Sequence, residues 1–199
     1  MEPALNKGSG SAGEPVPAGF WTAPDGSRYR FRMPTVADGA ALWTLVHEIG
    51  TLEPNSAYCY LLLGAHFAET CVLAEHAGAP VGFVAAFRSP VQPEVVFVWQ
   101  IGVREDARGR GVARELLRRL LERPACAGVR FLEATVTPSN HSSAALFRGL
   151  ARHLGVPCSV TPGFPSDLFP EGAHEREDLY RIGPLSRKSK KREEKGNKG

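Results

Sequence analysis

No apolar run in this 199-residue chain approaches the length of a membrane span. Its longest candidate, Tyr58–Leu63, falls far short of the roughly twenty residues a spanning helix needs. The opening Met1-Glu2-Pro3 lacks the basic-then-apolar pattern of a secretory leader. Cysteine is sparse: Cys59, Cys71, Cys126 and Cys158 form no CxxC pair and no Cys/His ligand pattern. Free thiols in a reducing cytoplasm, no metal site and no membrane association are therefore expected. Internal repeats are missing as well. What is present is ordinary globular material, 43% hydrophobic and 23% charged, in a chain long enough to bury a core without disulfides.

The net charge of +3 is misleading. From Ser186 onward the chain carries Arg187, Lys188, Lys190, Lys191, Arg192, Lys195 and Lys198 against Glu193 and Glu194. That tail holds a surplus of five positive charges, so the rest of the chain sums to −2. No aromatic residue is interleaved in the tail for base stacking, and no nucleic-acid partner is expected.

Residues 1–27 are rich in Gly, Pro, Ala and Ser without apolar periodicity and read as a flexible arm. Residues 186–199 read as a disordered basic tail, and residues 28–185 as one domain. Within it, strand and helix signals alternate. Tyr29, Phe31 and Met33 alternate with arginines, as in a half-buried strand. Asp38 is placed to cap a helix with Leu42, Leu45, Val46 and Ile49 on one stripe. Cys71–Glu75 and Val81–Phe87 flank a turn and read as a hairpin. Val95–Ile101 is nearly continuous in apolar character and suits the middle of a sheet. A helix bearing Leu116, Leu117 and Leu120 follows, then a strand at Phe131–Val136. A second long helix is capped by Asn140 and stopped at Gly155. The stretch after it reads as irregular until a last strand at Glu177–Ile182. This order implies an α/β (α+β) domain, a mixed sheet with helices on both faces.

The sharpest chemical signal is Arg108-Gly109-Arg110-Gly111-Val112-Ala113, between a strand and a helix. Two glycines let backbone approach a ligand, and the unpaired amides of a helix start attract anions. Arg108 and Arg110 are expected to add donors to phosphate oxygens.

Arg108-x-x-Gly111-x-Ala113 resembles the acetyl-CoA signature Q/R-x-x-G-x-G/A of the GNAT N-acetyltransferases, and the element order resembles theirs. The resemblance implies acetyl-CoA as co-substrate, held by the Arg108–Ala113 loop and by Ile101, Gly102 and Val103 of the preceding strand, which splays from its neighbour. It also places Asn140 near the cofactor thiol. Many members carry a tyrosine on the following helix as acid for the leaving thiolate; here the matching residue is Phe147.

A second set of blocks resembles the L-2,4-diaminobutyrate acetyltransferases of ectoine synthesis. Glu53-Pro54-Asn55-Ser56-Ala57-Tyr58-Cys59-Tyr60-Leu61-Leu62 is similar to their D-x-N-S-x-Y-x-Y-L-L, with Glu53 in place of Asp. Phe97-Val98-Trp99-Gln100, Thr135–Asn140, Ser143–Phe147 and His174-Glu175-Arg176-Glu177 match further blocks in order, from about Phe31 to Pro184. The resemblance implies transfer of acetyl to the terminal amine of diaminobutyrate. A substrate with two ammonium groups and one carboxylate calls for carboxylates, here Glu53 and Glu175, and for hydrogen-bonding groups, here Asn55, Ser56, Tyr58 and His174. Trp99 would wall the pocket.

An alkyl ammonium with a pKa of about 10 must lose a proton before it attacks a thioester. Glu175 would take that proton or bind the ammonium while water takes it. Backbone N–H groups near Ile101–Val103 would face the charge developing on the thioester oxygen. Tyr58 is the replacement acid, given Phe147. A homodimer is expected from the superfamily resemblance. The competing readings are a GNAT enzyme with another acceptor (polyamine, aminoglycoside or protein N-terminus), a nucleic-acid module acting through the tail, and a cofactor sensor without catalysis.

Overall fold

The computed structural model describes residues 19–170 and 174–185. Eight strands form one sheet: β1 (Phe20–Thr22), β2 (Arg28–Arg32), β3 (Cys71–His76), β4 (Ala79–Arg88), β5 (Val95–Val103), β6 (Phe131–Val136), β7 (Cys158–Phe164) and β8 (Glu177–Ile182). Their spatial order is β1-β2-β3-β4-β5-β6-β8-β7. Every neighbouring pair is antiparallel except β5 and β6. The parallel pair needs a crossover, and α3 (Val112–Leu121) supplies it. The other helices are α1 (Gly39–Ile49), α2 (Ala57–His66) and α4 (His141–Leu154).

Alternation along the strands divides the core into two layers. On β3, Cys71 and Leu73 face Leu42, Leu45, Val46 and Ile49 of α1 and Tyr60 and Leu63 of α2. Val72 and Ala74 face the opposite layer, with Leu116, Leu117 and Leu120 of α3 and Phe147, Leu150 and Ala151 of α4. Helices thus cover both faces, as the element order implied. Each fully buried leucine stabilises the fold by about 1.5–3 kcal/mol. The hairpin from β3 to β4 turns through Ala77 (φ 49°) and Gly78 (φ 82°), the two consecutive positive-φ residues of a tight turn matched to strand twist. Gly155 ends α4 in the left-handed conformation, as expected.

Four features depart from the sequence reading. β1 lies inside the stretch read as an arm and pairs Phe20 with Arg30; residues 1–18 and 186–199 lie outside the described residues. The segment Ala57–His66 is helical, where the sequence shows no helical stripe. The stretch after α4 contains β7, which pairs with β8 along its length rather than being irregular. Asp38 precedes α1 but does not cap it through its side chain. Its carboxylate instead accepts both Arg32 Nη groups at 2.7 Å and the Thr35 amide at 2.7 Å. A bidentate pair with a guanidinium outcompetes a single cap bond to a backbone amide. Among the described residues, no helix is long and apolar enough to cross a membrane.

Candidate active site

The site grows from a break in the sheet. β5 pairs with β6 only through Val95↔Phe131, Val96↔Leu132 and Phe97↔Glu133. Beyond Phe97 the two strands part, while β5 stays paired with β4 as far as Val103. At the parting, Ala85 pairs with Gln100 but Ala86 pairs with Val98, so Trp99 is an extra, bulged residue. The bulge bends β5 and leaves Trp99 48% exposed in a strand whose other residues are buried or half-buried. From here to Val103, the edge of β5 that lost its neighbour presents alternate N–H and C=O groups to the gap.

Below the gap, the chain leaves β5, makes a short turn at Glu105–Ala107 and enters α3 through Arg108–Gly111. Gly109 and Gly111 have φ of 75° and 87°. The first bond of α3 runs from Glu115 N to Gly111 O at 3.0 Å, so the amides of Val112, Ala113 and Arg114 have no partner within the helix. They border an open cleft of about 430 Å³ whose walls also include Val103, Leu146 and Pro24. A Cβ on Gly109 would meet nothing within 4 Å. Bare backbone, unpaired amides and an open cleft fit a diphosphate.

The side chains of the two expected arginines are occupied elsewhere. Arg108 donates from Nε to Val103 O and from Nη2 to Ile49 O, both at 3.0 Å, tying the loop to β5 and to the end of α1. Arg110 turns to the β1–β2 hairpin, where its Nε lies 3.1 Å from Asp25 Oδ2. Both residues border the cleft, and their main chain is what they offer it without breaking these contacts. Arg114, absent from the sequence expectation, borders the cleft and pairs with no carboxylate among the described residues. Asn140 has its Oδ1 committed to the α4 cap, accepting Ser143 N at 3.0 Å. Ile101 and Gly102 lie on β5 above the cleft rather than in its wall. Phe147 is buried, its ring 6.2 Å from that of Tyr180.

On the acceptor side, Glu53, Asn55, Ser56 and Tyr58 come together in the loop before α2 and its first turn. Buried Gln100 holds this loop to β5: its Nε2 donates to Glu53 O at 2.9 Å. Buried Tyr60 bridges the two, accepting Asn55 N at 3.3 Å and lying 3.5 Å from Gln100 Oε1. Tyr58 is 66% exposed at the start of α2.

Beyond β6, the two glutamates of the His174–Glu177 block part company. Glu175 is exposed, and its carboxylate accepts the amide and hydroxyl of Ser139, bracing the loop that leads into α4. Glu177 faces inward from β8, with His174 Nε2 at 3.7 Å from its Oε1. Its Oε2 is buried without a hydrogen-bond partner among the described residues. Burial pushes the Glu177 carboxyl above its ordinary pKa, an effect that the nearby Thr135 hydroxyl and His174 only partly offset. Glu177 was not among the expected site residues. A half-buried carboxyl with a raised pKa and a free oxygen is suited to receive an ammonium group or its proton.

Residues 41–151 match the model of the acetyltransferase (GNAT) family. The L-2,4-diaminobutyric acid acetyltransferase of Halalkalibacterium halodurans is 51% identical over 152 residues, covering 76% of this chain and 80% of that protein. The enzyme of the same name from Marinococcus halophilus is 48% identical over 157 residues, covering 79% and 91%. The structure of the Paenibacillus lautus diaminobutyrate acetyltransferase, in complex with L-2,4-diaminobutyric acid and coenzyme A, superposes with a TM-score of 0.78 at 46% identity, covering 81% and 98%. The ribosomal-protein-S18-alanine N-acetyltransferase of Escherichia coli shares the fold alone, at 17% identity and a TM-score of 0.56 over 81% and 97%. A sheet parted at a bulge above a glycine-lined helix start, together with this degree of identity across the domain, makes the chain a GNAT acetyltransferase belonging to the L-2,4-diaminobutyric acid acetyltransferases.

Proposed function

We propose that this enzyme transfers the acetyl group of acetyl-CoA to the γ-amino group of L-2,4-diaminobutyrate, giving γ-N-acetyl-diaminobutyrate for ectoine synthesis under osmotic stress. The observation that carries the reading is the gap between β5 and β6. Val103, at the end of its β5 edge, borders the cleft of the Gly109–Gly111 loop; Trp99 stands at its bulge, the Glu53–Tyr58 segment is tied to β5 through Gln100, and Glu177 lies on β8, beyond β6.

Acetyl-CoA supplies the acetyl group as an activated thioester. The amides at the start of α3 would hold its diphosphate, with Arg114 as the available side-chain cation. The freed edge of β5 at Ile101–Val103 would donate to the thioester oxygen. Asn55, Ser56, Tyr58 and His174 would anchor the amino-acid head, and Glu53 would meet the α-ammonium. Glu177 would receive the side-chain ammonium and take its proton. Glu175, the expected base, is better placed to hold the Ser139 loop and with it the start of α4. Tyr58 is the proposed donor to the leaving thiolate, since Phe147 has no hydroxyl.

The test is a panel of diaminobutyrate, ornithine, lysine and putrescine with acetyl-CoA, the acetylated nitrogen being located by NMR. Preference for putrescine, or acetylation of the α-nitrogen, would overturn the acceptor assignment and leave the acetyltransferase chemistry standing. We further propose a cytoplasmic homodimer with no nucleic-acid or membrane partner. A monomeric mass in light scattering at micromolar concentration would overturn the dimer. Loss of acetyl transfer on removing residues after Ser186 would show that the tail takes part.

A further inference from the structure

We propose that Arg110 is a positioning residue: it pins the hairpin of β1 and β2 against the cofactor loop, and the pinned hairpin forms one wall of the acetyl-CoA cleft. The inference rests on the acetyl-CoA reading of that cleft and adds to it a part of the chain that precedes the family match at residue 41.

Three contacts join the guanidinium of Arg110 to the hairpin. Nε lies 3.1 Å from Asp25 Oδ2, and Nη1 donates to Ser27 Oγ at 3.2 Å and to the Tyr29 hydroxyl at 3.3 Å. Asp25 is itself oriented by accepting Ser27 N at 2.9 Å, and the turn is closed by Ala23 N donating to Ser27 O at 2.8 Å. The result is a folded tip rather than a loose loop, and Pro24 at that tip borders the cleft. One strand back, the Trp21 ring lies 3.5 Å from where a Cβ on Gly111 would stand. The hairpin also reaches the far end of α3, where Arg119 donates to Phe20 O at 3.0 Å and stacks 4.8 Å above the Phe31 ring. Two arginines from one loop-and-helix unit therefore fix the hairpin at two points. The one nearer the cleft sits between the two positive-φ glycines whose conformation shapes it.

Such a latch works through geometry. With Nε and Nη1 of Arg110 held by the hairpin, its effect on the ligand passes through the Gly109–Gly111 backbone and Pro24. A residue that bound phosphate directly would behave differently when its partner is removed. Replacing Asp25 would free such an arginine and strengthen cofactor binding. In a latch, either replacement loosens the same element, and the two together do little more than one.

The experiment uses the full chain with Arg110→Ala, Asp25→Asn, the double variant, Arg110→Lys and Pro24→Gly. Coenzyme A binding is measured by calorimetry, amide exchange is followed at residues 109–113, and steady-state kinetics and thermal melts are recorded. Arg110→Ala and Asp25→Asn should each weaken coenzyme A binding about threefold or more, the scale of a partly exposed ion pair with added hydrogen bonds. Both should raise KM for acetyl-CoA and speed exchange at residues 109–113, with kcat and KM for diaminobutyrate within about twofold of the parent. The double variant should match the single ones, Arg110→Lys should recover part of the loss, and Pro24→Gly should weaken binding with the latch intact. Tighter binding in Asp25→Asn would overturn the proposal in favour of a direct phosphate contact. Lower melting temperatures with unchanged coenzyme A affinity would overturn it in favour of a purely structural role. Failure of the parent enzyme to bind coenzyme A would instead defeat the reading of the cleft.

Discussion

Gln100, buried in β5, donates its side-chain amide to the main-chain carbonyl of Glu53, 47 residues earlier, at 2.9 Å. The bond joins the strand that carries Trp99 to the loop that carries the acceptor groups. Gln100→Leu keeps the volume approximately and removes the bond, leaving the Glu53 carbonyl and the Tyr60 hydroxyl without that partner. An unpaired buried polar group costs about 1–3 kcal/mol, so KM for diaminobutyrate should rise about tenfold. KM for acetyl-CoA should stay near its parent value, because the Gly109–Gly111 loop is anchored separately. Steady-state kinetics with each substrate varied in turn checks both.

Glu177→Gln removes the proposed proton acceptor and preserves its shape. Turnover should fall by about 10²–10⁴-fold with coenzyme A affinity unchanged in calorimetry. The pH dependence carries a sign. Burial raises the Glu177 carboxyl, so its basic form is lost on acidification sooner than that of an ordinary glutamate. The acid limb of kcat/KM should therefore lie above the usual glutamate value of about 4.3 and disappear in Glu177→Gln. Glu175→Gln, which disturbs only the Ser139 brace, should keep that limb and lose activity mainly through KM.

Gly111 holds φ at 87° directly before α3. A valine there meets the left-handed penalty of about 1–2 kcal/mol and, being β-branched, more. Gly111→Val should lower the melting temperature by several degrees and weaken coenzyme A binding at least tenfold. An unchanged affinity in a folded variant would refute the role of the loop.

The Arg32 guanidinium, with help from Thr35, holds the Asp38 carboxyl well below the usual carboxylate range. A carboxyl depressed in the native state contributes stability above its unfolded value, and that contribution is lost as pH falls. Asp38→Asn should lower the unfolding free energy at pH 7 by about 1–3 kcal/mol. The gap between variant and parent should close in urea melts taken at progressively lower pH through and below pH 4.

The elements visible in the sequence are those with a periodic face or an apolar run. β2, α1, α3 and α4 each bury one face, β5 is a nearly continuous apolar run, and the Ala77-Gly78 turn carries its own local signal. α2 leaves no helical stripe in the sequence because Tyr58–Leu63 is apolar all round, although only Tyr60 and Leu63 are buried. β7 is an edge strand, exposed at nearly every position and containing Pro162 and Gly163, so it shows neither alternation nor a hydrophobic run. The site divides in the same way. The cofactor loop is a local object, written in adjacent glycines. The partners of Arg108 and Arg110 lie 59 and 83 residues away at Ile49 and Ser27, and no local pattern announces them. In His174–Glu177 the motif supplies two carboxylates, and only the path of β8 decides which one turns inward.

The three residue pairs between β5 and β6 form a short seam between a leaf of five strands and a leaf of three. Backbone bonding across so narrow a spine cannot by itself bind the leaves into one cooperative unit. That task passes to side chains, with Phe147, Leu150 and Ala151 of α4 packed beside Val96, Val98 and Leu132 in one continuous core layer. The seam is also the sheet's only parallel junction among the described residues, and the whole of α3 must be laid down before it can close. The slot that exposes the β5 edge thus comes with a mechanical consequence: backbone joins the leaves at Val95–Phe97 and side-chain packing carries the rest. Native-state amide exchange should accordingly show the seam opening with the global unfolding event, and the Gln100–Val103 edge exchanging well before it.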